Sequence, residues 1–128
     1  LIFIDTNYIV GLFVKNDQWH NKAKKNKFFV QNKEKIITNL ILSETITLIN
    51  KKAGVNEAKI AYDYIVNNFT ILEPNQKIFN IAMKILVKYH NLSFADSVTI
   101  QLMNDLNIYE IVSFDSDFDN KDKIVKIH

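Results

Sequence analysis

The chain has no cysteine and no arginine, and only one proline, one tryptophan and two glycines in 128 residues. Without cysteine there is no disulfide scaffold, no thiolate zinc centre and no thiol nucleophile. So little proline and glycine, against 48% hydrophobic residues, excludes a disordered chain. No apolar run reaches the roughly 18 residues that a membrane span needs. The opening Leu1-Ile-Phe-Ile-Asp5 is too short and wrongly flanked for a signal peptide. The expectation is a cytoplasmic protein with no membrane partner. With arginine absent, all 16 basic residues are lysines, which offer phosphate a point charge rather than a bidentate fork. The net charge of +2 is a mild bias toward an anionic partner. The abundance of Lys, Asn and Ile is explained more simply by AT-rich coding than by function.

What is present reads as one domain, residues 1–128, long enough to bury about 68% of its unfolded surface. Short apolar runs alternate with amphipathic ones. Leu1 to Ile4 reads as a buried strand ending at Asp5. Tyr8 to Val14 reads as a helix capped by Thr6 or Asn7, and Asp17 as the cap of a second helix reaching Val30. Lys35 to Thr38 is a second strand, Leu40 to Lys52 a helix stopped by Gly54, and Asn56 the cap of a helix to Asn67. Thr70 to Leu72, Glu110 to Phe114 and Lys123 to Ile127 complete five strands, with helices at Asn75 to Tyr89 and Ser93 to Leu106 between them. Apolar strands separated by helices predict an α/β fold, a three-layer α/β/α sandwich around a parallel sheet. Sites in such sheets form at the carboxyl ends of the strands.

Four carboxylates occupy positions that call for explanation. Asp5 and Asp115 each follow a strand, on the same edge of the sheet. If those strands are neighbours, about 4.8 Å apart, their carboxylates can share an ion. Glu44 falls between Leu40 and Leu48, inside the apolar arc of its helix. A charge there costs several kcal/mol unless it is paired or coordinated. Asp96 is in the first turn of its helix, in line with Ile100 and Met103, and so faces inward. Each has a structural explanation too: Asp5 and Asp115 as turn or cap residues, Asp96 within a Ser93-x-x-Asp96 cap, Glu44 in an ion pair with a lysine. Asp117, Asp119 and Asp122 read as a solvated acidic turn, with Asp117 near enough to Asp115 to touch a second ion. Jointly, the four acids converge on one place. Clustered carboxylates repel and raise one another's pKa, and a hard divalent cation such as Mg²⁺ relieves this with oxygen ligands alone. Such a centre suits hydrolysis of a phosphodiester.

The ordered series Asp5-Thr6-Asn7, Glu44, Leu92-Ser93-Phe94-Ala95-Asp96 and Ser113-Phe114-Asp115 resembles the PIN domain family. Within that family it is similar to the VapC toxin ribonucleases of toxin–antitoxin systems. The resemblance runs over nearly the whole chain. It implies a five-stranded parallel sheet and a Mg²⁺- or Mn²⁺-dependent endoribonuclease acting through a metal-activated water. It also implies a homodimer, and a small antitoxin protein that occupies the active-site groove. Asp5, Glu44, Asp96 and Asp115 match the family's acidic quartet. Asp5, Asp96 and Asp115 are the expected metal ligands, with Glu44 and Asp117 as further ligands. Asn7 and Ser113 match positions that support the acids. Two departures stand out: Ser113 where threonine is commoner, and the lack of any arginine near the RNA groove.

Lys22, Lys24, Lys25 and Lys27 are weak candidates for RNA contact, against the simpler reading of a solvated helix face. Trp19 and Phe28 are expected to pack rather than stack on bases, and His20, His90 and His128 to have no catalytic part. Ile46, Ile49, Ile60, Tyr62, Tyr64 and Ile65 exceed what one buried helix face needs, through either two-sided burial or a partner surface. A receiver-type phosphotransfer module would need an acidic pair after the first strand, and an aspartate-nucleophile phosphatase an Asp-x-Asp. Asp5-Thr6-Asn7 supplies neither. The remaining alternative keeps the fold but binds RNA or protein without cleavage. Metal-dependent cutting separates the two.

Overall fold

A computed structural model describes residues 1–114, 116–119, 121 and 124–128. Asp115 and Asp122, and the Lys123 start expected for the last strand, lie outside the described residues. In chain order the elements are β1 (Ile2–Ile4), α1 (Thr6–Phe13), α2 (His20–Gln31), β2 (Lys35–Thr38), α3 (Asn39–Ala53) and α4 (Val55–Asn68). They continue with β3 (Phe69–Leu72), α5 (Gln76–Tyr89), α6 (Phe94–Leu106), β4 (Glu110–Val112) and β5 (Val125–Ile127). The five strands form one sheet in the order β3-β2-β1-β4-β5, and every pairing is parallel. The expected α/β sandwich is therefore observed.

Side-chain alternation splits the core in two. Ile2, Ile4, Ile37 and Val112 point to the face covered by α1 to α4, and Phe3, Ile36 and Ile111 to the face covered by α5 and α6. Both faces of each central strand are thus apolar, which is why these strands read as unbroken hydrophobic runs. Ile4 is in register with Val112, and the Asp5 N–H donates to the Val112 carbonyl. The neighbouring of the first and fourth strands, which the sequence left open, is settled here. It is also where the strand order reverses, and the crevice beyond the carboxyl ends of such a pair is the usual ligand site of an open α/β sheet.

The helix ends differ from expectation in three places. Asp5, rather than Thr6 or Asn7, caps α1, its Oδ1 accepting from the Thr6 N–H at 2.8 Å. Asp17 does not cap α2 directly; its Oδ2 accepts from the Trp19 N–H and shapes the turn before the helix. Gly54, at φ 93°, both ends α3 and begins α4, so Asn56 lies within α4 instead of capping it. Only a residue without Cβ adopts that angle readily. The cap expected at Ser93 is observed, and Asn75, expected as the first residue of its helix, caps α5. Among the described residues no helix is long and apolar enough to cross a membrane.

Gly11 sets how closely α2 approaches α1. A Cβ there would lie 3.1 Å from the Trp19 carbonyl oxygen and 3.2 Å from the Ala23 Cβ. Beside it, the His20 Nδ1 is 2.7 Å from the Gly11 carbonyl, so His20 is an inter-helix strut. For Gly11→Ala, helix propensity favours alanine by up to about 1 kcal/mol, but crowding against backbone costs roughly 1–3 kcal/mol. The crowding term wins: Gly11→Ala is expected to lower the unfolding free energy by about 1 kcal/mol in urea titration, and a variant as stable as the parent would refute the tight contact.

Candidate active site

Asp5 is fixed by its place at the end of a central strand. Its Oδ1 caps α1, and its Oδ2 accepts a 2.7 Å hydrogen bond from the Ser113 hydroxyl, which follows β4. Both residues are buried. The bond joins parts of the chain 108 residues apart and turns the carboxylate toward the sheet edge. Asn7, in the first turn of α1, accepts from the Phe114 N–H with its Oδ1 at 3.2 Å. Asn7 and Ser113 therefore tie the segment after β4 to the segment after β1.

Asp96 comes from the opposite layer. Ser93 caps α6, its hydroxyl accepting from the Asp96 N–H at 3.0 Å. Asp96 is buried, in the row that continues with the fully buried Ile100 and Met103, as the helix spacing predicted. Glu44 differs from expectation. It is exposed, while Leu40 and Leu48 beside it are half-buried. The buried row of α3 is Ile41, Thr45 and Ile49, one residue and so about 100° around the helix from the row containing Glu44. That row is a flank rather than the inner face, so the carboxylate keeps its water and incurs no burial cost.

These residues meet in one cleft of about 250 Å³. Asp5, Asn7, Glu44, Ser93, Asp96 and Asp117 line it, together with Asp17, Gln18, Trp19, Leu48 and Lys52. Four carboxylates that the sequence singled out thus face a common space, with Asp117 in place of Asp115, which is outside the described residues. Asp119 is not among them: its carboxylate accepts from Lys126 at 2.7 Å, and this bond holds its pKa below the usual range. Among the described residues, no three acidic or imidazole side chains stand close enough to hold an ion by themselves. An ion bound here by these residues would keep water ligands, as Mg²⁺ commonly does.

The lysine cluster divides. Lys22 is exposed and sits over the Trp19 and Phe114 rings at 5.4 and 5.9 Å. Lys24 and Lys27 border a different hollow, with Phe28 and Tyr64. Among the described residues, the cation in the cleft lining is Lys52, held 3.1 Å from Asp17 Oδ1. Sequence reading missed it, although Glu44, Leu48 and Lys52 fall at i, i+4 and i+8 and so share one helix row. Trp19 was missed as a cleft residue for another reason: the loop before α2 has no periodicity that could orient it.

Comparison with known proteins follows the geometry. The family model described as PIN domain matches residues 2–124. The chain is 26% identical to Ribonuclease VapC6 of Methanocaldococcus jannaschii over 148 residues, covering 96% of this chain and 94% of that protein. Its fold is similar to the crystal structure of Mycobacterium tuberculosis VapC20, a sarcin-ricin loop cleaving toxin. That match has a TM-score of 0.83 and 24% identity, over 97% of this chain and 98% of that one. It is also similar to a chain of a toxin–antitoxin complex from Klebsiella pneumoniae, with a TM-score of 0.71 and 17% identity, over 98% and 96% of the two chains.

Ser113→Ala removes a buried hydrogen bond to a carboxylate, an interaction worth about 1.5–3 kcal/mol. Denaturant unfolding of the variant is expected to show a loss of that size, with Ser113→Thr, which keeps the hydroxyl, closer to the parent. Equal losses in both variants would mean that packing, not the Asp5 bond, is what Ser113 supplies.

Proposed function

The chain belongs to the PIN domain family, and from that premise we infer that it is a metal-dependent endoribonuclease, the toxin of a toxin–antitoxin pair. The observation that carries this reading is the convergence of Asp5, Glu44, Asp96 and Asp117 on one cleft at the carboxyl ends of β1 and β4. The names of the related proteins agree with it: a ribonuclease, a sarcin-ricin loop cleaving toxin and a toxin–antitoxin complex.

The donor set is made of carboxylates, without cysteine, and so fits a hard divalent cation, Mg²⁺ or Mn²⁺. Asp5, Asp96 and Asp115 would hold it, with Glu44 and Asp117 as further ligands or as acceptors for its waters. When bound, such an ion polarises a phosphoryl oxygen and supplies water of lowered pKa. The protein's own part is orientation. Thr6 N–H and Ser113 Oγ–H fix the Asp5 carboxylate through two donors. These two bonds aim the carboxylate. The cap at Ser93 fixes the first turn of α6 and with it Asp96. Glu44, on an exposed flank, is suited to accept a proton or a hydrogen bond from water at the reacting phosphate. Lys52 places positive charge where the phosphodiester enters.

The same reading assigns a small antitoxin as partner, and a second copy of the chain. For the second copy, Ile60 and Tyr62 on α4 remain 54% and 43% exposed. Ile49 and Ile65 are buried, and Ile46 and Tyr64 pack against the core. Two-sided burial therefore accounts for four of the six apolar residues noted on α3 and α4. Light scattering of the purified chain is expected to return twice the monomer mass.

RNA cleavage is the decisive assay. Cutting is expected with Mg²⁺ or Mn²⁺ and not with EDTA, and Asp5→Asn is expected to lower the rate at least about a hundredfold, roughly 2.7 kcal/mol in the barrier. Products should carry a 5′-phosphate. A 2′,3′-cyclic phosphate would mean that the ribose hydroxyl attacks, and would falsify the water mechanism. Metal binding with no RNA cut under any condition, for the chain freed of partner, would favour the binding module without cleavage.

A further inference from the structure

The wall of the cleft formed by the α1–α2 loop carries an aromatic side chain that the acid chemistry does not use. Trp19 lines the cleft beside Gln18 and Asp17, is half-buried, and packs on one side against the core cluster under α1 to α4. Its ring centroid is 5.6 Å from that of Phe114, which itself leans on Tyr8 at 6.0 Å. The Lys22 ammonium is 5.4 Å from the Trp19 ring and 5.9 Å from that of Phe114. Lys22 and Phe114 both stand close to the indole, which borders the same cleft as Asp5 and Asp96.

The loop that presents Trp19 is rigidly built. The Trp19 N–H is held by Asp17 Oδ2 at 3.0 Å, and Asp17 Oδ1 is held by Lys52. The Asp17 N–H donates to the Val14 carbonyl, and the Trp19 carbonyl accepts from Ala23 N–H. That carbonyl rests against Gly11, the one position on α1 where it meets no Cβ, and His20 bonds the Gly11 carbonyl. An aromatic plane already fixed in place loses little entropy when a flat ligand lands on it. One cation is anchored at each end of this loop: Lys22 over the indole, Lys52 on Asp17.

We propose that Trp19 is a stacking platform for an unpaired nucleobase of the RNA strand. Lys22 takes the phosphate on one side of that nucleotide, and Lys52 the phosphate on the side of the acidic cleft. The proposal rests on the endoribonuclease reading of the cleft and adds to it a nucleotide subsite. Aromatic planes with adjacent lysines are how single strands are bound without base-specific hydrogen bonds. The subsite therefore selects for unpaired RNA, since a base inside a duplex offers no free face.

Because Trp19 is the sole tryptophan, its fluorescence reports this subsite directly. The probe is a single-stranded oligoadenylate of about eight nucleotides, titrated in EDTA so that it is not cut. An abasic strand of equal length serves as control. Saturable quenching by the oligoadenylate, with several-fold less from the abasic strand, is expected. In parallel, with Mg²⁺ or Mn²⁺, Trp19→Ala is expected to raise KM for single-stranded RNA about tenfold, with kcat changed less and Trp19→Phe within about threefold of the parent. Equal quenching by both strands, no quenching at all, or an unchanged KM in a folded Trp19→Ala variant overturns the subsite. The two readings fail separately. Cleavage without quenching removes the platform and leaves the nuclease. Base-dependent quenching without cleavage removes the nuclease and keeps the platform.

Discussion

Asp5 joins the two halves of the site because it belongs to both at once. It ends β1, the middle strand, and its N–H continues the ladder to Val112 of β4. One carboxylate oxygen starts α1 and the other takes the hydroxyl of Ser113. An acidic group buried this far is costly unless it is hydrogen-bonded, and these donors supply that. The same bonds orient it toward the cleft. Cap and ligand, which the sequence presented as competing explanations of Asp5, are compatible uses of one side chain.

The rest of the cleft follows from where the sheet reverses its order. With β1 and β4 adjacent, the helix leaving β1 goes to one face while α6, which leads into β4, packs on the other. The space between them opens at the carboxyl ends. α1 brings Asn7, α3 brings Glu44 and Lys52 along one row, and α6 brings Asp96 on a capped first turn. Acids from three layers of the sandwich are collected without any one segment carrying two of the buried ones. This spreads their mutual repulsion over the whole fold rather than over one helix.

A chain without arginine must recognise RNA with what it has. Lysine supplies charge but no planar fork, so geometric definition must come from elsewhere. In the subsite proposed above it would come from Trp19, set against Phe114 with Lys22 beside it, and from Lys52 held by a carboxylate. The tightness of the α1–α2 contact at Gly11 is then a condition for where the cleft wall stands as well as for core packing.

Much of this was legible in the residues. Short, largely apolar strands, the cap at Ser93 and the inward row Asp96-Ile100-Met103 depend on local periodicity and capping, which a sequence displays directly. The ordered acids carried the family resemblance for the same reason, since position after a strand or on a helix row is a local property. What the sequence could not decide was relative placement. It placed Glu44 within an apolar arc, but the neighbours of α3 determine which row is buried, and that row is Ile41-Thr45-Ile49. It gave no sign that Trp19 would line the cleft, because a non-periodic loop is oriented by the helices at its ends. It did not place β4 beside β1, because strand order is chosen by packing across the whole chain. Local chemistry is written residue by residue; which local pieces share a space is decided only when the apolar faces close on one another.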